Sequence, residues 1–187
     1  DTLFLIEITT KQVSLKAWLE CNEAEIKKYL ERILIKDDRN NGKAVSLFKT
    51  IEKIKKGEMK LEGVNVAKIK KFIPIILFEK APPMYNRLWS FYQNLLEKSG
   101  ITDKNFLEEL EFWDTEEVEI ILADVLKGKS LPDIMKEKED SGFYKDSVKN
   151  FYILGRKHID KHPILGEAFE KMTDQHKRIL FKKGTER

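Results

Sequence analysis

Cysteine is almost missing from this chain: Cys21 is the one thiol in 187 residues. That excludes a disulfide framework and a zinc centre built on cysteine clusters, and it fits a reducing cytoplasm. With no nucleophile signature around it, Cys21 reads as a small apolar residue. Proline, at 5, and glycine, at 9, are sparse and scattered, so no phosphate-binding glycine loop, internal repeat or low-complexity segment is present. Of the 3 histidines, His158 and His162 are four apart, but Pro163 follows directly and ends the helix that would pair them, which argues against a metal pair there. No apolar run approaches the roughly 18 to 20 residues that span a bilayer, and no charged-then-apolar leader precedes Leu3. The expectation is a soluble, cytoplasmic protein with no membrane partner. The chain starts at Asp1 without a Met and goes almost at once into a strand of buried type, as expected of a fragment or a processed piece.

What is present supports packing. Hydrophobic residues make up 41% of the chain, with 11 Phe, 5 Tyr and 3 Trp, while 36% charged residues imply a heavily solvated surface. At this length one domain, or one domain with a helical extension, is expected. The net charge of +3 conceals an uneven distribution. Residues 36 to 71 carry 11 Lys/Arg against 5 Asp/Glu, residues 101 to 140 carry 5 against 13, and residues 141 to 187 carry 11 against 6. A basic stretch of this kind either attracts phosphate backbones or simply keeps helix faces in water.

Leu3 to Lys11 is apolar in its first half and alternating in its second. It predicts a strand that begins buried on both faces and emerges with Glu7, Thr9 and Lys11 on one side. Asn22 to Ile35 places Ile26, Tyr29, Leu30, Ile33 and Leu34 at helical spacing behind an Asn22 N-cap. Residues 36 to 42 read as a polar loop, and Lys43 to Lys56 as a helix stopped by Gly57. Met59 to Lys71 is ambiguous between loop and short strand. Phe72 to Phe78 predicts a second, central strand parallel to the first, with Pro74 marking its start or an edge. A helix over 84–99, an acidic loop, a short third strand over 110–113, and helices over 116–127 and 130–138 follow. Asp114 or Thr115 is the expected cap of the first of these last two. Two further helices are expected over 145–158 and 163–181.

Glu7, Thr9 and Lys11 are the first candidate site. A carboxylate near the end of a buried strand is costly unless a hydrogen bond, an ion pair or a metal offsets it. Residues two apart on a strand share a face, so the Glu7 carboxylate can hold Mg²⁺ while the Lys11 amine positions water or phosphate. The alternative is an ordinary polar strand face. Lys43, Lys49 and Lys53 on the second helix are candidate nucleic-acid contacts, or a solvated face. Trp89, Phe91 and Tyr92 offer rings on which bases can stack, although their helical spacing equally suits core packing.

The order of these parts resembles bacterial proteins of the PD-(D/E)XK, or restriction-endonuclease-like, nuclease superfamily: a strand ending Glu7-Ile8-Thr9-Thr10-Lys11, two helices with Lys43 opening the second, the strand Phe72 to Phe78, then a helix and an acidic loop into a short strand. The resemblance covers roughly residues 1 to 115. It implies an α/β fold, a small mixed β-sheet flanked by helices, with the mostly helical residues 116–187 as an extension packed on that core. It also implies Mg²⁺-dependent action on DNA or RNA phosphodiesters, with Glu7 as metal ligand and with Thr9 and Lys11 beside it. Thr9 stands where the family has Lys, and the family's Asp belongs to a strand before Leu3, a part Asp1 is too close to Glu7 to play. The alternative is a catalytically inactive module of the same or another α/β fold that binds nucleic acid or a protein.

Overall fold

The computed structural model describes residues 1–11, 20, 22–37, 40–80, 86–143 and 146–155. Cys21, His158, His162, the end of the helix expected over 145–158 and the whole helix expected over 163–181 lie outside the described residues. The chain runs β1 (Thr2–Thr9), α1 (Glu23–Leu34), β2 (Lys36–Asp37), β3 (Asn40–Asn41), α2 (Lys43–Lys55), β4 (Lys71–Phe78), α3 (Asn86–Lys98), α4 (Lys104–Glu109) and β5 (Glu111–Asp114). It continues through α5 (Thr115–Val125), α6 (Leu131–Asp140) and a short α7 (Val148–Asn150), which leads into a π-helical turn, Phe151–Gly155.

The fold is α/β. Its main sheet has three strands in the order β1-β4-β5, each neighbouring pair parallel, because helices separate them in the chain. The sheet is therefore all-parallel rather than mixed; among the described residues antiparallel pairing is confined to β2 and β3, which form a hairpin where a plain loop was expected. The acidic loop expected before β5 contains a helix, α4, capped by the Asp103 carboxylate, which accepts from the Asn105 and Phe106 amides at 2.9 and 3.2 Å. The Asn22 cap is as expected, accepting from the Glu25 amide at 3.2 Å.

β4 is the central strand, and its alternation divides the molecule. Ile76 and Phe78 enter one core with Leu30, Leu34, Leu47, Tyr92 and Phe112, under α1 to α4. Ile73 and Ile75 enter a second core with Trp113, Ile121, Ile134 and Phe151, under α5 to α7. Pro74, in this central strand, pairs in register with Leu5 of β1, whereas β5 begins only opposite Ile75. At Pro74 β4 thus has a strand on one side alone, which is how a residue with no amide proton fits a central strand.

β1 is an edge strand among the described residues, and this corrects the expectation that its first half is buried on both faces. Leu3, Phe4 and Leu5 are half-buried, and Ile6 and Ile8 are 53% and 62% exposed. Gly42 closes the β2–β3 hairpin against α1: its amide donates to the Ile35 carbonyl at 2.7 Å, and an added Cβ would stand 2.3 Å from Ile35 N.

Sheet and second helical layer are tied by a buried ion pair. Lys138 Nζ of α6, 1% exposed, reaches both carboxylate oxygens of Glu111 at 2.7 and 2.9 Å, and Trp113 Nε1 donates to the same carboxylate at 3.2 Å. Removing one partner of such a pair strands the other charge in the interior. Lys138→Ala is therefore expected to lose about 3 to 5 kcal/mol of unfolding free energy in urea titration. Lys136→Ala, which breaks only an exposed pair with Asp140 on the same helix, should be indistinguishable from the parent.

Candidate functional site

Glu7 and Thr9 lie on the β1 face that looks toward α2, since Leu5 two residues earlier packs into the core beneath that layer. Across the register Glu7 stands opposite Ile76 and Thr9 opposite Phe78. The amine that meets Glu7 is Lys43 at the start of α2: Nζ to Oε2 is 3.0 Å, with the side chains 37% and 33% exposed. The carboxylate is thus half-buried and ion-paired, which removes much of the cost that the sequence attaches to it. Thr9 is buried, and its hydroxyl accepts from the Lys11 amide at 3.3 Å. The Lys11 carbonyl accepts from the Tyr29 hydroxyl of α1, so the chain leaving β1 is held by its backbone while the Lys11 side chain is exposed. Among the described residues no group of three or more His, Cys, Asp or Glu is placed to hold a metal ion.

A second feature lies on the same side of the sheet. Between α1 and α3 runs a groove of about 450 Å³, with Lys27, Lys28, Arg32, Lys36 and Lys98 on its rim and one carboxylate, Glu31, among them. Ile35, Phe91 and Leu95, all half-buried, form its floor. Five cations crowded around one acid create a positive local potential, which apolar walls of low dielectric focus.

The hairpin extends this surface. Lys36 of β2 pairs directly with Asn41 of β3, and residues directly opposite on an antiparallel ribbon project to the same face. Lys49 Nζ donates to Asn41 Oδ1 at 3.1 Å, and Lys53 lies one helical turn further along α2. Lys49 and Lys53 therefore continue from the groove, whereas Lys43 is drawn to Glu7. Tyr92 is fully buried, Phe91 forms part of the groove floor, and the side chain of Trp89 lies outside the described residues.

Sequence reasoning missed Lys27, Lys28, Arg32 and Lys98. Their signal was present on α1, where Lys28 and Arg32 are one turn apart and opposite the apolar stripe, but three Glu in the same helix cancel them in any segment count. The contribution of Lys98 depends on α3 lying beside α1, which is a tertiary fact.

At the start of α5 the Asp114 side chain accepts from the Glu117 amide at 2.9 Å, and Glu117 Oε2 accepts from the Asp114 amide at 3.0 Å, a capping box. Glu117 Oε1 also accepts from the Lys149 amide of α7 at 3.0 Å. This carboxyl group is 1% exposed, and burial pushes its pKa up to about 7 against the pull of those two amides. The folded state thus holds a proton that the unfolded chain releases near 4.5. The resulting stability is complete below pH ~4.5 and is lost as pH rises through ~7. Chemical denaturation at pH 5 and pH 8 should show the parent losing on the order of 2 to 3 kcal/mol more than Glu117→Gln, which has no proton to release. Equal losses would show that Glu117 does not titrate in this window.

Compared with protein-family models, curated proteins and solved structures, the chain matches none.

Proposed function

We propose that this protein is a nucleic-acid-binding α/β module whose ligand lies in the groove between α1 and α3. The observation that carries this reading is the five-cation rim around an apolar floor. A phosphate backbone presents one charge per nucleotide and is held by several cations in sequence, whereas a small carboxylate or phosphate needs only one or two. The path from Lys36 through the hairpin to Lys49 and Lys53 extends the positive surface beyond the span of a single small anion. An acidic protein segment would meet the same charges, but the Phe91 floor favours bases, whose flat faces stack on an aromatic ring.

Binding of a labelled oligonucleotide, followed by fluorescence anisotropy between about 50 and 200 mM salt, should weaken steeply as counterions compete. Lys28→Ala combined with Lys98→Ala should weaken binding and reduce the slope of log affinity against log salt by about 2. A flat salt response, or an unchanged slope in the double variant, points to a protein partner and removes this reading.

A second reading is phosphodiester hydrolysis at the carboxyl end of the sheet, in a restriction-endonuclease-like core. It is favoured by the Glu7–Lys43 pair, an acid and an amine 3.0 Å apart near the end of β1, although the resemblance gave the amine's part to Lys11. Mg²⁺ takes as few as one or two protein carboxylates, with waters and substrate phosphates completing its shell, and Glu7 is the residue that would hold it. When bound, the ion would polarise a phosphoryl oxygen. Lys43 would leave Glu7 to hold a phosphate oxygen. Mg²⁺-dependent cleavage of a labelled oligonucleotide should be abolished by Glu7→Ala while groove binding is unchanged. Cleavage at the parent rate in that variant would remove Glu7 from the chemistry.

A further inference from the structure

Resting on the nucleic-acid reading above, we infer that the α1–α3 groove takes a single strand rather than a duplex, with one base stacked on Phe91 and its flanking phosphates at Arg32 and Lys98. Size is the first argument. About 450 Å³ lies within the roughly 300 to 1,000 Å³ of clefts that enclose a small ligand, so the groove suits one nucleotide unit and not a helix of paired strands. The second argument is the floor. Phe91 is half-buried, and its ring meets Tyr92 edge-on, with centroids 6.0 Å apart and planes at 66°. Tyr92 packs in turn on Phe112 of β5 at 5.3 Å. The Phe91 ring is therefore braced through a buried aromatic chain to the sheet, which limits the ordering cost of binding.

Polar groups complete the site. Asn94, exposed on α3 one turn before Lys98, offers an amide donor and acceptor to a base edge. Ser99 has already committed its hydroxyl to the Leu96 carbonyl at 2.6 Å and serves the helix end instead. A duplex keeps its base faces in its own stack and has none to give Phe91, whereas a single strand exposes every face. Charge alone would bind both forms, so the aromatic floor is what separates them.

The test uses the full 187-residue chain and two labelled probes of the same sequence, one single-stranded and one duplex, at low salt. The parent should bind the single strand about tenfold more tightly than the duplex, the effect of one good stacking contact. Phe91→Leu keeps an apolar side chain over the core while removing the π-face, and should abolish that preference by weakening only the single-strand complex. Far-UV circular dichroism reports whether the variant is folded; if it is not, the parent's ratio of affinities decides the question alone. Equal affinity of the parent for both probes, or an unchanged preference in folded Phe91→Leu, overturns the single-strand inference and leaves the groove's nucleic-acid role standing. Binding of neither probe overturns both.

Discussion

The structure depends on one strand being hydrogen-bonded on both edges and buried on both faces. β4 supplies alternate side chains to two cores, Ile76 and Phe78 to one and Ile73 and Ile75 to the other. Strands that lie between helical layers read as continuous apolar runs, and Phe72 to Phe78 is such a run. β1 and β5 are positioned by their pairing with it, so the places of Glu7, Glu111 and Asp114 all follow from the register along β4.

That dependence explains which parts of the fold the sequence discloses. The Phe72 to Phe78 run needed no partner to be recognised, and the amphipathic stripes of α1 and α2 revealed themselves by spacing and caps. α4 escaped because six residues give too short a period to register, and its Asp103 cap sits in a stretch whose acidity suggested a loop. The burial of β1 was overestimated for a different reason. Its composition, Leu3 to Ile8, is that of a central strand, but burial is set by neighbours, and among the described residues β1 lies at the sheet edge with Ile6 and Ile8 exposed.

The candidate site divides along the same line. Glu7 was legible as a polar residue out of place in an apolar strand, yet its partner was assigned four residues away at Lys11. The partner is Lys43, 36 residues on in sequence and 3.0 Å away in space. Strand alternation predicts which side chains share a face, but only the packing of α2 on β1 decides which amine arrives there. The groove was less legible still. Its rim combines α1, the hairpin and α3, each of which carries acids that mask its cations when charge is counted along the chain.

Sorting charge by layer rather than by segment gives a different protein from the one the net value of +3 describes. In the layer that carries the groove, α2 has four Lys against one Glu. In the layer on the opposite face, α5 has four acids and no Lys or Arg, and α6 has four acids against two Lys, one of them consumed by Glu111. Among the described residues the helices under one side of the sheet are thus richer in Lys than those under the other, while Glu117 and Asp124 of α5 are buried and leave Glu116 and Glu119 as its surface acids.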